Sequence, residues 1–196
     1  MKKEILKIES KFDGLPLSTA VYAPEGEVKG IVQMAHGMSE HKERYFPFME
    51  FLAEAGYASI LHDHRGHGES IREAGDLGYM YDESGQAIVE DVHQLTLYMK
   101  EKFPGVPVYL FGHSMGSFLT RSLLIRYGGC VDGAIIMGSG WNSAAAITGG
   151  ALTLTHCPAL PVSPVFAPLE QAGCAITSMG DSLHIVAPTR LQGMGL

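Results

Sequence analysis

The order of strand and helix patterns along the first 140 residues constrains the fold most strongly. Short continuous apolar runs predict buried strands at 30–35, 57–61, 106–111 and 131–137. Apolar residues at helical spacing predict helices over 45–56, 84–103 and 115–127. Ahead of them, 3–12 and 17–22 alternate polar and apolar residues around Asp13 and Gly14, which predicts a hairpin. Alternating helices and apolar strands indicate an α/β fold, a mostly parallel sheet with helices on both faces.

Composition narrows the class of protein. The chain of 196 residues is 46% hydrophobic and 18% charged, as expected of a globular protein with a core. Its net charge of −7 argues against a nucleic-acid partner. The first nine residues alternate polar and apolar, and no run of about 18 apolar residues occurs. We therefore expect a cytoplasmic chain with no transmembrane segment. The three cysteines form no CxxC pair, so neither a disulfide framework nor a zinc site is predicted.

The chain changes character near residue 140. Of 14 basic and 21 acidic residues, only Glu170, Asp181 and Arg190 lie after it. This tail is rich in Ala, Pro, Gly and Thr and shows no sustained helical or strand periodicity. We therefore expect a folded part at 1–140 and a low-charge tail at 141–196. The tail either begins a lid region or is not the native continuation, as after a frameshift or truncation.

Three polar motifs follow three of the predicted strands. His36-Gly37-Met38 follows the strand at 30–35, and the stretch 62–70 (HDHRGHGES) follows the strand at 57–61. The pentapeptide 112–116 (GHSMG) lies between a strand and a helix, which is the pattern of a nucleophile elbow around Ser114. Because the carboxyl ends of parallel strands meet at one edge of a sheet, these motifs are expected to converge.

Together these motifs resemble a known family. The matching stretches are 36–45 (HGMSEHKERY), 63–70 (DHRGHGES) and 112–116. They are similar to those of α/β-hydrolases of the lysophospholipase and monoacylglycerol lipase-like group, which includes the serine aminopeptidase-type hydrolases. The resemblance covers about residues 10–140, so it implies an α/β-hydrolase fold that is incomplete at its C-terminal side.

The resemblance implies a mechanism and a substrate class. Ser114 would attack an ester or amide carbonyl and form an acyl-enzyme. The backbone amides of Met38 and Met115 would form the oxyanion hole. Substrates would be small acyl esters such as lysophospholipids or monoacylglycerols, with an aminopeptidase or amidase as the alternative. Neither a metal nor a cofactor is implied.

The acid and base of a triad are the missing part. In this fold they follow the nucleophile in the order acid, then histidine, on later strands. Asp181 and His184 have that order but lie only three residues apart. They are the candidate acid and base, and the rival interpretation is a non-catalytic remnant without either. A chain that stops early would also expose the strand at 131–137 as a sheet edge, so self-association is expected.

The histidines near the motifs allow a further hypothesis. His62, His64 and His67 surround Asp63 in the sequence, and imidazole and carboxylate groups are common metal ligands. The favoured interpretation is instead a loop in which Asp63 and Arg65 order the backbone. His113 is interpreted as a packing residue beside the nucleophile, since a sequence neighbour cannot easily reach back to the serine.

Overall fold

The computed structural model describes residues 1–139 and, beyond them, the backbone of 151–154, 175–179 and 182–186. The chain divides into two compact units, Met1–Ser139 and Gly140–Leu196. The described part of the first unit is a six-stranded sheet with three α-helices, and that of the second is a three-stranded sheet.

The first sheet is mixed, with a parallel half that carries the sequence motifs. Its strands are β1 (Lys2–Glu9), β2 (Pro16–Ala23), β3 (Ile31–Ala35), β4 (Ala58–His62), β5 (Val108–His113) and β6 (Gly133–Met137). They are ordered β1-β2-β4-β3-β5-β6. The pairs β3–β4, β3–β5 and β5–β6 are parallel. The predicted hairpin is confirmed, because β1 and β2 pair antiparallel. β2 in turn pairs antiparallel with β4.

The helices cover both faces of this sheet, as predicted. They are α1 (Phe46–Glu54), α2 (Gln86–Lys102) and α3 (Met115–Tyr127). On one face Met49 of α1 packs against Leu61 of β4. On the other face Leu95 of α2 packs against Ile60, the neighbour of Leu61, because successive side chains of a strand point to opposite faces. No helix in the described ranges is long and apolar enough to cross a lipid bilayer.

β6 lies at the edge of the described sheet. It pairs with β5 on one side, and the described strands leave its other side open. Its side chains are largely exposed, with Ile135 at 56%, Ile136 at 43% and Met137 at 47%. The expectation of an exposed edge at this strand therefore holds for the part of the chain that the structure describes.

The second unit contains β7 (Ala151–Leu154), β8 (Ala175–Met179) and β9 (Ser182–Val186). They form an antiparallel sheet in the order β7-β9-β8. The tail showed no strand periodicity in the sequence, yet it contains these strands. Elements of four or five residues are too short to produce a clear periodic pattern.

Candidate active site

Ser114 lies at the turn between β5 and α3. β5 ends at His113 and α3 begins at Met115, so a single residue joins them. Its φ of 51° and ψ of −117° are a conformation that residues other than glycine rarely adopt, at a cost of about 1–3 kcal/mol. Ser114 N–H donates to the Met137 carbonyl at 2.9 Å. Ser117 Oγ donates to the Ser114 carbonyl at 2.6 Å. These bonds hold the serine in its strained geometry.

The two glycines of the elbow are required by close packing. A Cβ on Gly116 would overlap the carbonyl groups of Ala35 and His36. A Cβ on Gly112 would overlap Thr120 Oγ1 and the carbonyl of Gly116. The first turn of α3 can therefore lie directly against the end of β3, which brings the loop after β3 beside the serine.

That loop supplies candidate oxyanion donors. A Cβ on Gly37 would lie 3.2 Å from Ser114 Cβ, so the loop backbone is in contact with the serine. Gly37 N–H already donates to Glu40 Oε2 at 2.7 Å. Within residues 1–139, Met38 N–H has no acceptor. Met115, the first residue of α3, has an N–H without an intrahelical acceptor. The Met38 side chain is 66% exposed, so this position is not a core methionine.

Glu40 joins this loop to the elbow. Its Oε2 accepts hydrogen bonds from Gly37 N–H, from Tyr45 Oη at 2.8 Å and from His113 Nδ1 at 3.1 Å. Arg44 lies 3.4 Å from its other oxygen. Burial raises the pKa of Glu40, but the donors on Gly37, Tyr45 and His113 outweigh it and lower the pKa to about 2. The His113 ring is a hydrogen-bond partner of this carboxylate, a role that its interpretation as a packing residue did not include.

Four buried histidines lie under the same loop. The rings of His36 and His64 are 4.1 Å apart, and those of His62 and His64 are 4.8 Å apart; His67 completes the group. His36 Nε2 accepts from His64 N–H at 2.9 Å, so its Nδ1 carries the proton and donates to the Gly37 carbonyl at 2.7 Å. Burial lowers the pKa of His36 to about 4 and that of His62 to about 3. Both rings are therefore neutral at pH 7.

Asp63 orders the turn after β4, as the sequence predicted. Its carboxylate accepts from Lys42 N–H at 2.7 Å, from Lys42 Nζ at 2.9 Å and from Glu69 N–H at 2.9 Å. A Cβ on Gly68 would overlap this carboxylate, which explains the glycine in the motif. Asp63 thus ties the turn to the segment that begins at Lys42.

The histidine metal hypothesis finds no support in the geometry. Among the described residues, the potential ligand atoms that converge belong to Glu43, Asp63 and Glu69. The Lys42 ammonium lies among these carboxylates, at 2.7, 2.9 and 3.1 Å. Burial lowers the pKa of Lys42 and the carboxylates raise it, with a net upward shift. The chain therefore supplies its own cation to this cluster.

Arg65 is the second ordering residue that the sequence predicted. It is fully buried, and its guanidinium donates to Asp91 at 2.8 and 3.2 Å and to Asp13 at 3.2 Å. It also reaches Ser10 Oγ at 3.2 Å and the Met80 carbonyl at 3.3 Å. One side chain therefore joins the β1–β2 hairpin, α2 and the turn after β4.

A cleft lies beside the loop after β3. It has a volume of about 630 Å³ and is lined by 38–41, 66–68, Leu77, Gly78 and Met80. A smaller depression of about 290 Å³ includes 105–107 and so lies at the amino end of β5, opposite Ser114. The cleft beside Met38 is the better candidate for a substrate site because it adjoins the loop that contacts the serine.

The structure brings Ser114, Met38 and Met115 together in the first unit. His184, the candidate base, lies in β9 in register with Thr153 and Thr177. Asp181, the candidate acid, lies outside the described residues. Sequence reasoning included Glu40 in a motif but gave it no role, and it missed Lys42. For Glu40 the available signal was its position three residues after Gly37, from which a side chain can bond back to the backbone.

Comparisons with known proteins agree with this geometry. Human monoglyceride lipase is 36% identical over 104 residues, 53% of this chain and 33% of the human protein. Monoacylglycerol lipase of Mycolicibacterium smegmatis is 31% identical over 130 residues, 66% of this chain and 45% of that protein. A thermostable carboxyl esterase from Bacillus coagulans superposes with a TM-score of 0.65 and 32% identity, over 74% of this chain and 47% of that one.

The chain therefore spans less than half the length of these relatives. The family described as serine aminopeptidase, S33, matches residues 26–168, which is well over half of the chain. With the strand order, the strained serine and the loop after β3, this match establishes that the chain belongs to the S33 serine aminopeptidase family of α/β-hydrolases.

Proposed function

We propose that this chain carries the nucleophile and the oxyanion-binding loop of a carboxylic-ester hydrolase. The observation that carries the proposal is the strained backbone of Ser114 directly beside the loop after β3. Strain of this kind persists only where the surroundings impose it, and it is concentrated at active sites. The relatives described as lipases and esterases support the same reaction class.

The geometry supports an acyl-transfer mechanism. Ser114 Oγ attacks the carbonyl carbon of the ester, and the carbonyl oxygen becomes an oxyanion. The amides of Met38 and Met115 donate to that oxyanion, and one such donor typically contributes about 3 kcal/mol to transition-state stabilisation. Collapse of this intermediate expels the alcohol and leaves an acyl-enzyme, which water then hydrolyses.

The candidates for the general base and the orienting acid remain His184 and Asp181, the pair that follows the nucleophile in the required order. In the proposed mechanism a general base takes the Ser114 proton and returns it to the leaving alcohol. The rival possibility is a chain without a base, which binds an ester but does not turn it over. His184→Ala should then leave hydrolysis unchanged, whereas a working base predicts a loss of about 10⁴-fold.

The substrate class follows from the cleft and the relatives. Met38 and Leu77 line the cleft and are 66% and 63% exposed, so its entrance offers apolar surface to an acyl chain. We therefore propose monoacylglycerol-like or lysophospholipid-like esters. The family description favours an amide as the second candidate substrate, because the same nucleophile and oxyanion donors serve both acyl groups.

The test is covalent labelling of Ser114 by a fluorophosphonate, together with hydrolysis of short-chain p-nitrophenyl esters and of aminoacyl p-nitroanilides. Ser114→Ala should abolish labelling and ester turnover. Ser122→Ala, which removes another hydroxyl from α3, is the matched control and should retain both. Equal ester turnover in the wild-type chain and Ser114→Ala would refute the proposal, and turnover of the anilide alone would favour the amidase.

A further inference from the structure

One carboxylate oxygen accepts hydrogen bonds from both sides of the candidate site. We propose that Glu40 is a positioning residue that fixes the loop after β3 against the nucleophile elbow, and so holds the Met38 amide in place for the oxyanion. This inference rests on the proposed function of Ser114 and deepens it. In this role Glu40 acts through Gly37 and His113 rather than by contact with Ser114, and it also lines the cleft beside Met38.

The first contact is on the side of the loop. Gly37 N–H donates to Glu40 Oε2 at 2.7 Å, a charge-assisted hydrogen bond. The Gly37 Cα is held between two groups, since a Cβ there would lie 2.9 Å from Glu40 Oε2 and 3.2 Å from Ser114 Cβ. The Gly37 amide is occupied, whereas Met38 N–H, the next amide along the chain, has no acceptor among residues 1–139 and is available to a ligand.

The second contact is on the side of the elbow. His113 precedes Ser114, and its Nδ1 lies 3.1 Å from the same Oε2. An ionised carboxylate only accepts, so His113 Nδ1 carries a proton and donates. Tyr45 Oη donates to Oε2 at 2.8 Å and lies 3.3 Å from His113 Nδ1. A displacement of either the loop or the elbow therefore breaks a hydrogen bond to Glu40.

The negative charge of Glu40 contributes to its positioning role. A carboxylate close to a developing oxyanion would oppose it unless its charge were compensated. Here three donors and Arg44 surround a side chain that is only 12% exposed. A glutamine at this position could place its single oxygen where Oε2 lies, but it would carry no charge and would turn its NH₂ group toward Arg44. The three hydrogen bonds would then lose their charge assistance.

The experiment measures two properties of the full chain and its variants. The first is the second-order rate constant for fluorophosphonate labelling of Ser114, under conditions where each variant is fully folded by circular dichroism. The second is amide hydrogen exchange in the peptide that contains Gly37. Glu40→Gln should slow labelling about 10-fold and Glu40→Ala about 100-fold, from the loss of charge-assisted hydrogen bonds. Both should speed exchange at Gly37 and leave the core strands unchanged.

The controls separate positioning from stability. Glu50→Gln removes an exposed carboxylate from α1 and should change neither measurement. Tyr45→Phe removes one donor and keeps the carboxylate. It should slow labelling about threefold, and it serves as the test if the Glu40 variants do not fold. The proposal would be overturned if the Glu40 variants label at the wild-type rate and their exchange at Gly37 is unchanged. Faster exchange throughout the sheet of these variants would overturn it as well. A wild-type Ser114 that does not label would refute the proposed function, and exchange at Gly37 would then decide the role of Glu40.

Discussion

The buried histidines should make the fold acid-labile well above the range in which carboxylates titrate. His36 and His62 are fully buried, and burial lowers their pKa values from 6.5 to about 4 and about 3. Burial shifts the pKa of His64 in the same direction. Below pH 6.5 the unfolded chain binds protons that the folded chain does not. The free energy of unfolding therefore falls as the pH decreases from about 6.5 toward 4.

The expected size follows from these pKa values. Between pH 7 and pH 5, each of His36 and His62 lowers the free energy of unfolding by about 2 kcal/mol, since one pKa unit corresponds to about 1.4 kcal/mol. The carboxylates of Glu40 and Glu43, whose pKa values are lowered to about 2, add to the loss only below about pH 4.5. Burial raises the pKa of Asp91, so that group acts in the opposite sense. His36 and His62 together therefore lower the free energy of unfolding by about 4 kcal/mol between pH 7 and pH 5, which is a large share of a typical domain's stability.

The assay is urea unfolding followed by circular dichroism at several pH values between 7 and 5. His62→Gln keeps a polar side chain of similar size that does not titrate, and it should reduce the pH-dependent loss by about 2 kcal/mol. His41→Gln makes the same substitution at an exposed position and should retain the wild-type slope. If wild type and His62→Gln lose the same stability between pH 7 and pH 5, the buried-histidine argument is refuted.

Two further predictions concern the framework around the site. Arg65→Met leaves Asp91 buried without its cation and should lower the free energy of unfolding by about 3–5 kcal/mol, measured by urea unfolding at pH 7. A loss below about 1 kcal/mol would show that the pair is dispensable. The edge of β6 that the described strands leave unpaired should make the chain associate with itself, so that its mass in sedimentation velocity rises with concentration. Ile136→Lys should weaken this association, and a wild-type monomer at every concentration would contradict the prediction.

The fold was predictable from the sequence wherever its elements are regular. The helix of 115–127 has the predicted bounds, and the other predicted elements differ by at most a few residues at either end. The face of α2 formed by Ile88, Val92, Leu95 and Met99 is buried as its spacing indicates. The strand order was not predicted. β2 pairs with β4, and β4 pairs with β3, although other elements lie between these strands along the chain. Local periodicity carries no information on which strands become neighbours.

Some residues of the candidate site belong to local sequence motifs, and others are defined only by contacts between distant residues. Ser114, Met38 and Met115 could be proposed as site residues from short motifs because the elbow and the loop after β3 are each local in sequence. The roles of Glu40 and Lys42 depend on contacts with residues 73 and 21 positions away, His113 and Asp63, which no local pattern encodes.

The difference between local sequence and long-range contacts also explains why the histidine cluster does not form a metal site among the described residues. His62, His64 and His67 share a short stretch of sequence that suggests a metal site, yet the environment of their rings is set by burial and by His36 from the loop after β3. A sequence cluster indicates a ligand set only if the fold turns the donor atoms toward one point. Here the fold directs one imidazole nitrogen, His36 Nε2, to a backbone N–H and places the Lys42 ammonium where the carboxylates converge. The hydrogen bonds of His36 and the ion pair of Lys42 with Asp63 thus hold the loops after β3 and β4 in place.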